Sequence, residues 1–573
     1  MSERPTSMQS ATIAQLEANG YYDPEPTPSS TSRNSRQSVN GLRNSLIQSL
    51  TRASIFRFSD SALQSVPDAL TASRYPVAPG FLCAVTTFND PEKIKHSLET
   101  DYERGETPED SLQKRFWAMN VATQDRLQST QRAWPLPEEQ GSRFIRYGRY
   151  HVFSVYMRIF TFICMANFIA VVVFLTQLQK YPGIETYSNA ATAASANFCV
   201  GVLFRNEHVV NLIFRMCCNL PLWFPLAIRR RAAKVYSYGG IHSGCNISGT
   251  VWYFIFCILV INNFQAGSAA ESALAATTGV TLVMLVLIIA FAHPDIRARM
   301  HDQFEAVHRY AGWTVFGALW TQELVLVAVL GYIQMVSFGL SLIRSPPFWF
   351  LGIITFCIIY PWTRLRYRNV RVEYLSKHAT RLHFDYTDLG GCLGVRLTDA
   401  PLKETHGFAT IPNYKGTPGF SVIISNAGDW TNKIITNPPE KLYVKGVPTL
   451  GVIRCAFLFC KVVVIGTGSG IGPCLSLLQS HPDFPMRVIW SAQVPESTYG
   501  VGIMKAVFRA DPEAIIVDTR KTGRGNLLAL AYSVFKESDC EAVIIISNPS
   551  VTKKVVYGLE TRGIPAFGPI FDS

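Results

Sequence analysis

Apolar positions along the chain fall into three regimes. Up to about Arg149 none forms a long run, from Phe153 to Trp362 they gather in long blocks, and beyond Arg371 they come in short runs separated by polar turns. The first regime has two parts. Residues 1–60 are rich in Ser, Thr, Asn and Gln, with a proline-spiked patch at Asp23 to Pro28, and are expected to be disordered without a signal peptide. Residues 61–150 are mixed, with isolated aromatics such as Phe116, Trp117 and Trp134, and read as a cytosolic region to which no activity is assigned.

The middle regime, 151–363, is expected to form a multi-span helical membrane domain. Phe153 to Thr176 is long enough to cross a ~30 Å hydrocarbon core at ~1.5 Å per residue. Ile247 to Ile261, Leu274 to Ala292, Gly312 to Val336 and Phe348 to Trp362 are further spans. Ala190 to Ile228, broken by Arg205, Glu207 and Arg215, reads as one more span with its polar positions turned inward, giving about six helices. Arginines cluster at alternate ends: Arg143, Arg146 and Arg149, then Arg229, Arg230, Arg231 and Lys234, then Arg297 and Arg299, then Arg364, Arg366 and Arg368. The positive-inside rule then puts both termini in the cytosol, with a lipid membrane as partner. The plasma membrane is the expected address, although the arginines set orientation and not address.

Composition agrees with this picture. Charged residues are 16% of the chain against roughly 25% in soluble proteins, and apolar residues are 48%. Much of the net charge of +12 is absorbed by the arginine flanks, which removes the nucleic-acid reading. Thirteen cysteines contain no CxxC spacing, so neither a zinc ribbon nor a secreted disulfide scaffold is expected.

The last regime also divides in two. Residues 364–455 hold strand-like segments such as Arg371 to Leu375, Ala379 to Tyr386 and Phe420 to Ser425, and read as a β-barrel. Residues 456–573 alternate buried-type runs (Val462 to Ile465, Val488 to Trp490, Ala514 to Val517, Val543 to Ile546) with helical stretches such as Asn526 to Lys536 and Val551 to Glu560, the signature of an α/β parallel sheet. The first run leads into Gly466-Thr467-Gly468-Ser469-Gly470-Ile471-Gly472-Pro473. Such a turn lets the backbone approach a pyrophosphate while the helix N-terminus offers free N–H groups, although glycines also make tight turns for purely structural reasons. The next strand ends Trp490-Ser491-Ala492-Gln493, without the acid that would hold a ribose diol, which favours NADPH over NADH. Arg520 and Arg524 follow the third strand; they serve either an adenosine phosphate or a solvated loop.

With a His-x-Phe motif at His406-Gly407-Phe408-Ala409 and the loop GTGSGIGP, residues Tyr147 to Ser573 resemble the ferric reductase and NADPH oxidase superfamily. The reductase part is similar to ferredoxin-NADP reductases, and the whole more closely to fungal TmpA-type membrane flavoproteins of redox and developmental signalling, including conidiation. A related fungal group carries an adenylate-forming domain in front, which is expected to be absent here because no Ser/Thr/Gly-rich loop precedes the first span. The resemblance implies FAD on His406, Gly407, Phe408 and Ala409, with Ala409 in place of the family's hydroxyl and Thr410 as its substitute if the strand is shifted. It further implies a terminal aromatic, Phe571, beside the flavin, against an ordinary exposed terminus. NADPH would meet Ser547-Asn548-Pro549 where the family has Cys-Gly-Pro. No catalytic residue is assigned.

The same resemblance implies haem ligands. His242 and His308 match the first histidine of each expected pair, but the second positions read Ile255 or Phe256 and Thr321 or Gln322, so at most one haem b is expected. Glu323 lies inside the fifth span, with Arg215 as its hypothetical partner. The expected function is a membrane oxidoreductase passing electrons from NADPH through FAD to an unidentified acceptor. The alternative is a low-turnover redox sensor or scaffold acting on a signalling protein; a transporter is disfavoured by the lack of inverted repeats.

Overall fold

The computed structural model describes residues 124–180, 185–262, 269–413 and 417–570. The expected disordered stretch 1–60, most of 61–150 and Phe571 lie outside them. The first described helix, α1 (Gln124–Ala133), lies against the parallel-sheet domain. Seven longer helices follow: α2 (Val155–Lys180), α3 (Glu185–Leu203), α4 (Glu207–Cys218), α5 (Gly239–Asn262), α6 (Ala269–Ala292), α7 (His301–Ile333) and α8 (Pro346–Thr363). All but α4 share a core of Phe198, Trp252, Tyr253, Phe256, Leu326 and Leu351 with their packed neighbours. Five segments, Val155–Leu178, Leu226–Asn262, Ala269–Ala292, His301–Ile333 and Pro346–Thr363, are long and apolar enough to cross a membrane, by length and composition.

The expected span from Ala190 to Ile228 does not exist as one helix. The chain tightens where Arg205 N–H donates to Val202 and Asn206 N–H to Leu203. Asn206 then caps a new helix, its side chain accepting from His208 N–H at 3.0 Å. The product, α4, is amphipathic. Its Val210, Phe214 and Cys218 join the core of the C-terminal domain, and Asn211 bonds Pro448 O and Leu450 N–H at 2.9 and 2.8 Å, as a neighbouring strand would.

Two of the cations that suggested a cytosolic flank, Arg229 and Lys234, have a different job. Arg229 forks onto Glu541 at 2.8 and 3.2 Å and donates to Leu458 O, while Lys234 pairs with Glu560 at 2.5 Å and donates to Ala566 O. Cations used to dock one part of the chain onto another do not report sidedness, so the orientation argument loses its force.

The β-rich part contains β1 (Arg366–Asn369), β2 (Arg371–Ser376), β3 (Ala379–Phe384), β4 (Leu393–Thr398), β5 (His406–Ala409), β6 (Ile411–Pro412), β7 (Phe420–Ser425) and β8 (Lys441–Leu450). Instead of one barrel sheet, the described residues form two antiparallel four-stranded sheets, β1-β8-β4-β5 and β2-β3-β7-β6. Alternation in each strand turns Leu382, Phe384, Leu397, Phe420, Ile424 and Leu442 inward, and α9 (Asp429–Thr436) adds Trp430 and Ile434. Thr431 Oγ1 fixes the start of α9 by accepting from Ala427 and Gly428 N–H at 2.9 and 3.0 Å.

The C-terminal sheet is parallel, in the order β11-β10-β9-β12-β13, built from β9 (Val462–Thr467), β10 (Met486–Ala492), β11 (Ile515–Asp518), β12 (Ala542–Ile546) and β13 (Ala566–Phe567). Helices α10 (Ile471–Ser480), α11 (Leu527–Glu537) and α12 (Pro549–Glu560) cover it, so its strands are apolar on both faces. Residues 124–152 strap the outside of α11 and α12. Leu127 is buried there, Ser533 Oγ donates to Trp134 O, Arg562 to Pro137 O, and Tyr150 to Glu560 O.

Candidate functional site

The order of the parallel sheet reverses between β9 and β12, and the glycine turn lies at the carboxyl end of β9, where open α/β sheets hold ligands. Gly468 has φ +51°, in the left-handed region that favours glycine. At Gly470 a Cβ would stand 2.2 Å from the Ile546 carbonyl oxygen, so only glycine lets the turn lie on β12. Gly466 packs under the first peptide of α10, Ile471 is fully buried, and Ser469 and Pro473 sit in the turn and the first turn of α10. Gly472 brings α10 against Ile423 of β7. Across the reversal, Thr467 Oγ1 and Ser547 Oγ are 2.5 Å apart.

Asn548 and Pro549 have local duties. The Asn548 side chain accepts from Val551 N–H at 3.0 Å, and Pro549 opens α12. Arg520 and Arg524 are exposed on the loop after β11. That loop is held by buried Asp518, whose Oδ1 accepts from Val494 and Arg520 N–H, both at 3.0 Å. Two further residues frame the turn and were not expected: Trp490 Nε1 donates to Gly468 O at 3.1 Å, and its ring meets Tyr499 edge-on at 5.4 Å. Burial pushes the Tyr499 hydroxyl up from its ordinary pKa. The signal for Trp490 was a bulky indole at the end of a buried strand, beside a glycine loop.

On the antiparallel side, β5 pairs with β4 so that Val395 faces Phe408 and Arg396 faces Gly407. His406 and Phe408 therefore share the inward face. Trp430 stacks on both, at 4.3 Å from His406 and 5.9 Å from Phe408, each at 25°. His406 Nε2 and Trp430 Nε1 are buried without a hydrogen-bond partner, and burial lowers the His406 pKa despite nearby Glu305, Glu404 and Asp399. Gly407 and Ala409 point the other way. Thr410 is fully buried, its N–H and hydroxyl both directed to Leu393 O at 2.9 and 3.1 Å. Ser476 Oγ of α10 donates to Thr410 O at 2.5 Å and accepts from Cys392 N–H at 2.7 Å, bolting the parallel domain to the sheets.

Among the helices, His242 Nδ1 lies 2.8 Å from Gly201 O, while His308 Nδ1 is buried without a partner. Among the described residues no group of three or more His, Cys, Asp and Glu is arranged to hold a metal. Glu323 is buried and accepts from Ser345 Oγ at 2.5 Å; Arg215, its expected partner, is exposed on α4.

Two antiparallel sheets followed by a parallel sheet with a glycine turn at its point of reversal define a chain with a two-module sheet architecture. Residues 452–573 match the family described as Adenylate-forming reductase 03009, C-terminal domain. The chain is 42% identical over 438 residues to Adenylate-forming reductase 03009 of Coprinopsis cinerea, spanning 76% of this chain and 42% of that one. It is also 42% identical over 441 residues to Adenylate-forming reductase 06235 of the same fungus, with the same coverage. The chain thus spans less than half the length of the curated relatives it matches. Among solved structures it is similar to a ferredoxin NADP+ reductase from Neisseria gonorrhoeae (13% identity, TM-score 0.31, 36% of this chain and 99% of that one).

These matches replace the resemblance to TmpA-type proteins and ferric reductases. They also overturn the expectations drawn from the apolar blocks and flanking cations, namely a multi-span membrane architecture, the lipid partner and the plasma-membrane address with cytosolic termini, and those that hung on the resemblance, namely the FAD-to-acceptor relay, haem b on His242 and His308, and the redox-signalling, sensor and conidiation roles. The long apolar helices remain as a feature of the fold.

Proposed function

We propose that residues 364–570 form an NADPH-dependent reductase module that carries FAD. The observation behind this reading is the crevice at the sheet reversal, where Gly470 lies against Ile546 O and the Thr467 and Ser547 hydroxyls meet at 2.5 Å. The turn and the N-terminus of α10 offer backbone N–H groups to a pyrophosphate, and the paired hydroxyls flank the place of the nicotinamide. NADPH is favoured because β10 ends without an acid and Arg520 and Arg524 stand exposed beyond β11. The relatives' name, reductase, agrees with this reading.

FAD suits the sheet edge at His406 to Ala409. The unmet hydrogen bonds of His406 Nε2 and Trp430 Nε1 fit a heteroaromatic ring with donor and acceptor atoms on its edge. When bound, the flavin supplies a hydride acceptor for the nicotinamide. The chain's own contribution is to hold the two rings face to face, through the bolt of Ser476 on Thr410 and the contact of Gly472 with Ile423.

The test is an anaerobic spectrum of the full chain loaded with FAD, before and after NADPH. Bleaching of the flavin band is expected. In Gly470→Val the side chain meets Ile546 O, so bleaching should be lost while the flavin stays bound. A flavin that NADPH leaves oxidised in the natural sequence would sink the proposal.

A further inference from the structure

Buried Glu323 of α7 has no part in the reductase module. Its carboxylate accepts from Ser345 Oγ at 2.5 Å and, among the described residues, has no cation as a partner. Burial holds this carboxyl above its ordinary pKa, and the Ser345 hydroxyl offsets that only in part. Glu323 lines a cavity of about 260 Å³ between α3, α7, the short helix Phe338–Arg344 and the start of α8. Leu326, Val327, Leu330 and Pro347 give this cavity an apolar wall. Ser341 Oγ of the short helix belongs to the lining as well and is buried without a hydrogen-bond partner. Arg344 lines the cavity from an exposed position and makes no ion pair with any described residue. Past Glu323 the space narrows to about 30 Å³ among Phe198, Phe256 and Leu351, room for about one water. An acid and a base thus share one cavity without meeting.

We propose that this cavity binds a compact zwitterion, a free α-amino acid with an apolar side chain. The ammonium sits against Glu323 and Ser341 Oγ, the carboxylate is taken by Arg344, and the side chain lies on Leu326, Leu330 and Pro347. An ammonium brings three donors and no acceptor, which matches a carboxylate without a cation beside a hydroxyl without a partner. It also supplies the opposite charge that a buried carboxylate needs. A simple amine leaves Arg344 unanswered, and a simple carboxylate meets Glu323 with like charge. The volume lies just below the ~300–1,000 Å³ of sites for drug-sized ligands, so the occupant is small. This site stands apart from the flavin and NADPH reading and does not depend on it.

Isothermal titration calorimetry of the full chain with L-valine, L-leucine and L-phenylalanine tests the proposal. At least one of them is expected to bind, and its decarboxylated and deaminated analogues to bind roughly 10-fold more weakly or worse. Glu323→Gln, which keeps the shape, should weaken the amino acid and the amine roughly 10-fold or more and leave the deaminated acid unchanged. Arg344→Gln should weaken the amino acid and the deaminated acid and leave the amine unchanged. Circular dichroism checks that both variants remain folded. No binding of any of the amino acids overturns the site, as does an analogue that binds as tightly as its parent. Amino-acid affinity unchanged in either variant, or equal losses for both analogues, overturns it too.

Discussion

The glycine turn and the joint between helices and sheets are built in opposite ways. The turn is local: strand, glycines and helix are consecutive from Val462 to Ser480, and its constraints come from β9, α10, the adjacent β12 and β10, and one contact with β7. The joint collects Glu207, Arg229, Arg309 and Trp362 from the helices and sets them on Arg396, Glu404, Lys445 and Glu541, far away in the chain. A local site is specified by a motif, whereas a distributed one is specified by topology and leaves only single charged residues in the sequence.

That contrast predicts different responses to mutation. The largest is expected at Arg229, which is buried and satisfies both Glu541 oxygens and Leu458 O. Arg229→Ala leaves Glu541 with only the Cys460 N–H and should cost about 3 kcal/mol in denaturant unfolding. A loss below about 0.5 kcal/mol would place this contact among ordinary surface pairs and weaken the contrast. Next comes Asn206→Ala, which removes the cap of α4 and should cost about 1 kcal/mol, with faster proteolysis between α3 and α4. An Asn206→Ala chain as resistant as the natural one would mean that sheet contacts alone hold α4.

The smallest effect lies away from both sites and serves as their control. The hydrogen bond from His383 at 2.7 Å holds the Glu373 carboxyl below its ordinary pKa of 4.5. A depressed carboxyl contributes stability above the unfolded value that is lost as pH falls through the folded one. Glu373→Gln should therefore narrow the acid-side loss of stability below about pH 4.5 and leave NADPH-driven bleaching untouched. A changed bleaching rate would tie this sheet to the glycine turn.

The same distinction governs what the sequence disclosed. Val462 to Ile465 is buried strand, and the glycine turn follows it, because a four-residue apolar run before clustered glycines leaves few alternatives. The pairing of Thr467 with Ser547 was not legible, since it depends on which strands become neighbours. Ala190 to Ile228 misled for a physical reason. Hydrophobicity averaged over that length hides a change of partner at Asn206, where an apolar helix gives way to an amphipathic one whose apolar face meets protein. Arg229 and Lys234 misled likewise, because a docking cation and a membrane-flanking cation are the same residue in sequence. At His406 to Ala409 the motif was visible, but which side chains turn inward followed only from the register with β4.

The strap of residues 124–152 sets a timetable for the newborn chain. Its partners on α11, α12 and the turn after α12 lie 399 to 425 positions downstream. At roughly 5–20 residues per second a ribosome needs about 20–80 s to deliver them. For that interval Leu127 and Trp134 have no surface to rest on, and the parallel-sheet domain must be finished before the earlier segment can settle.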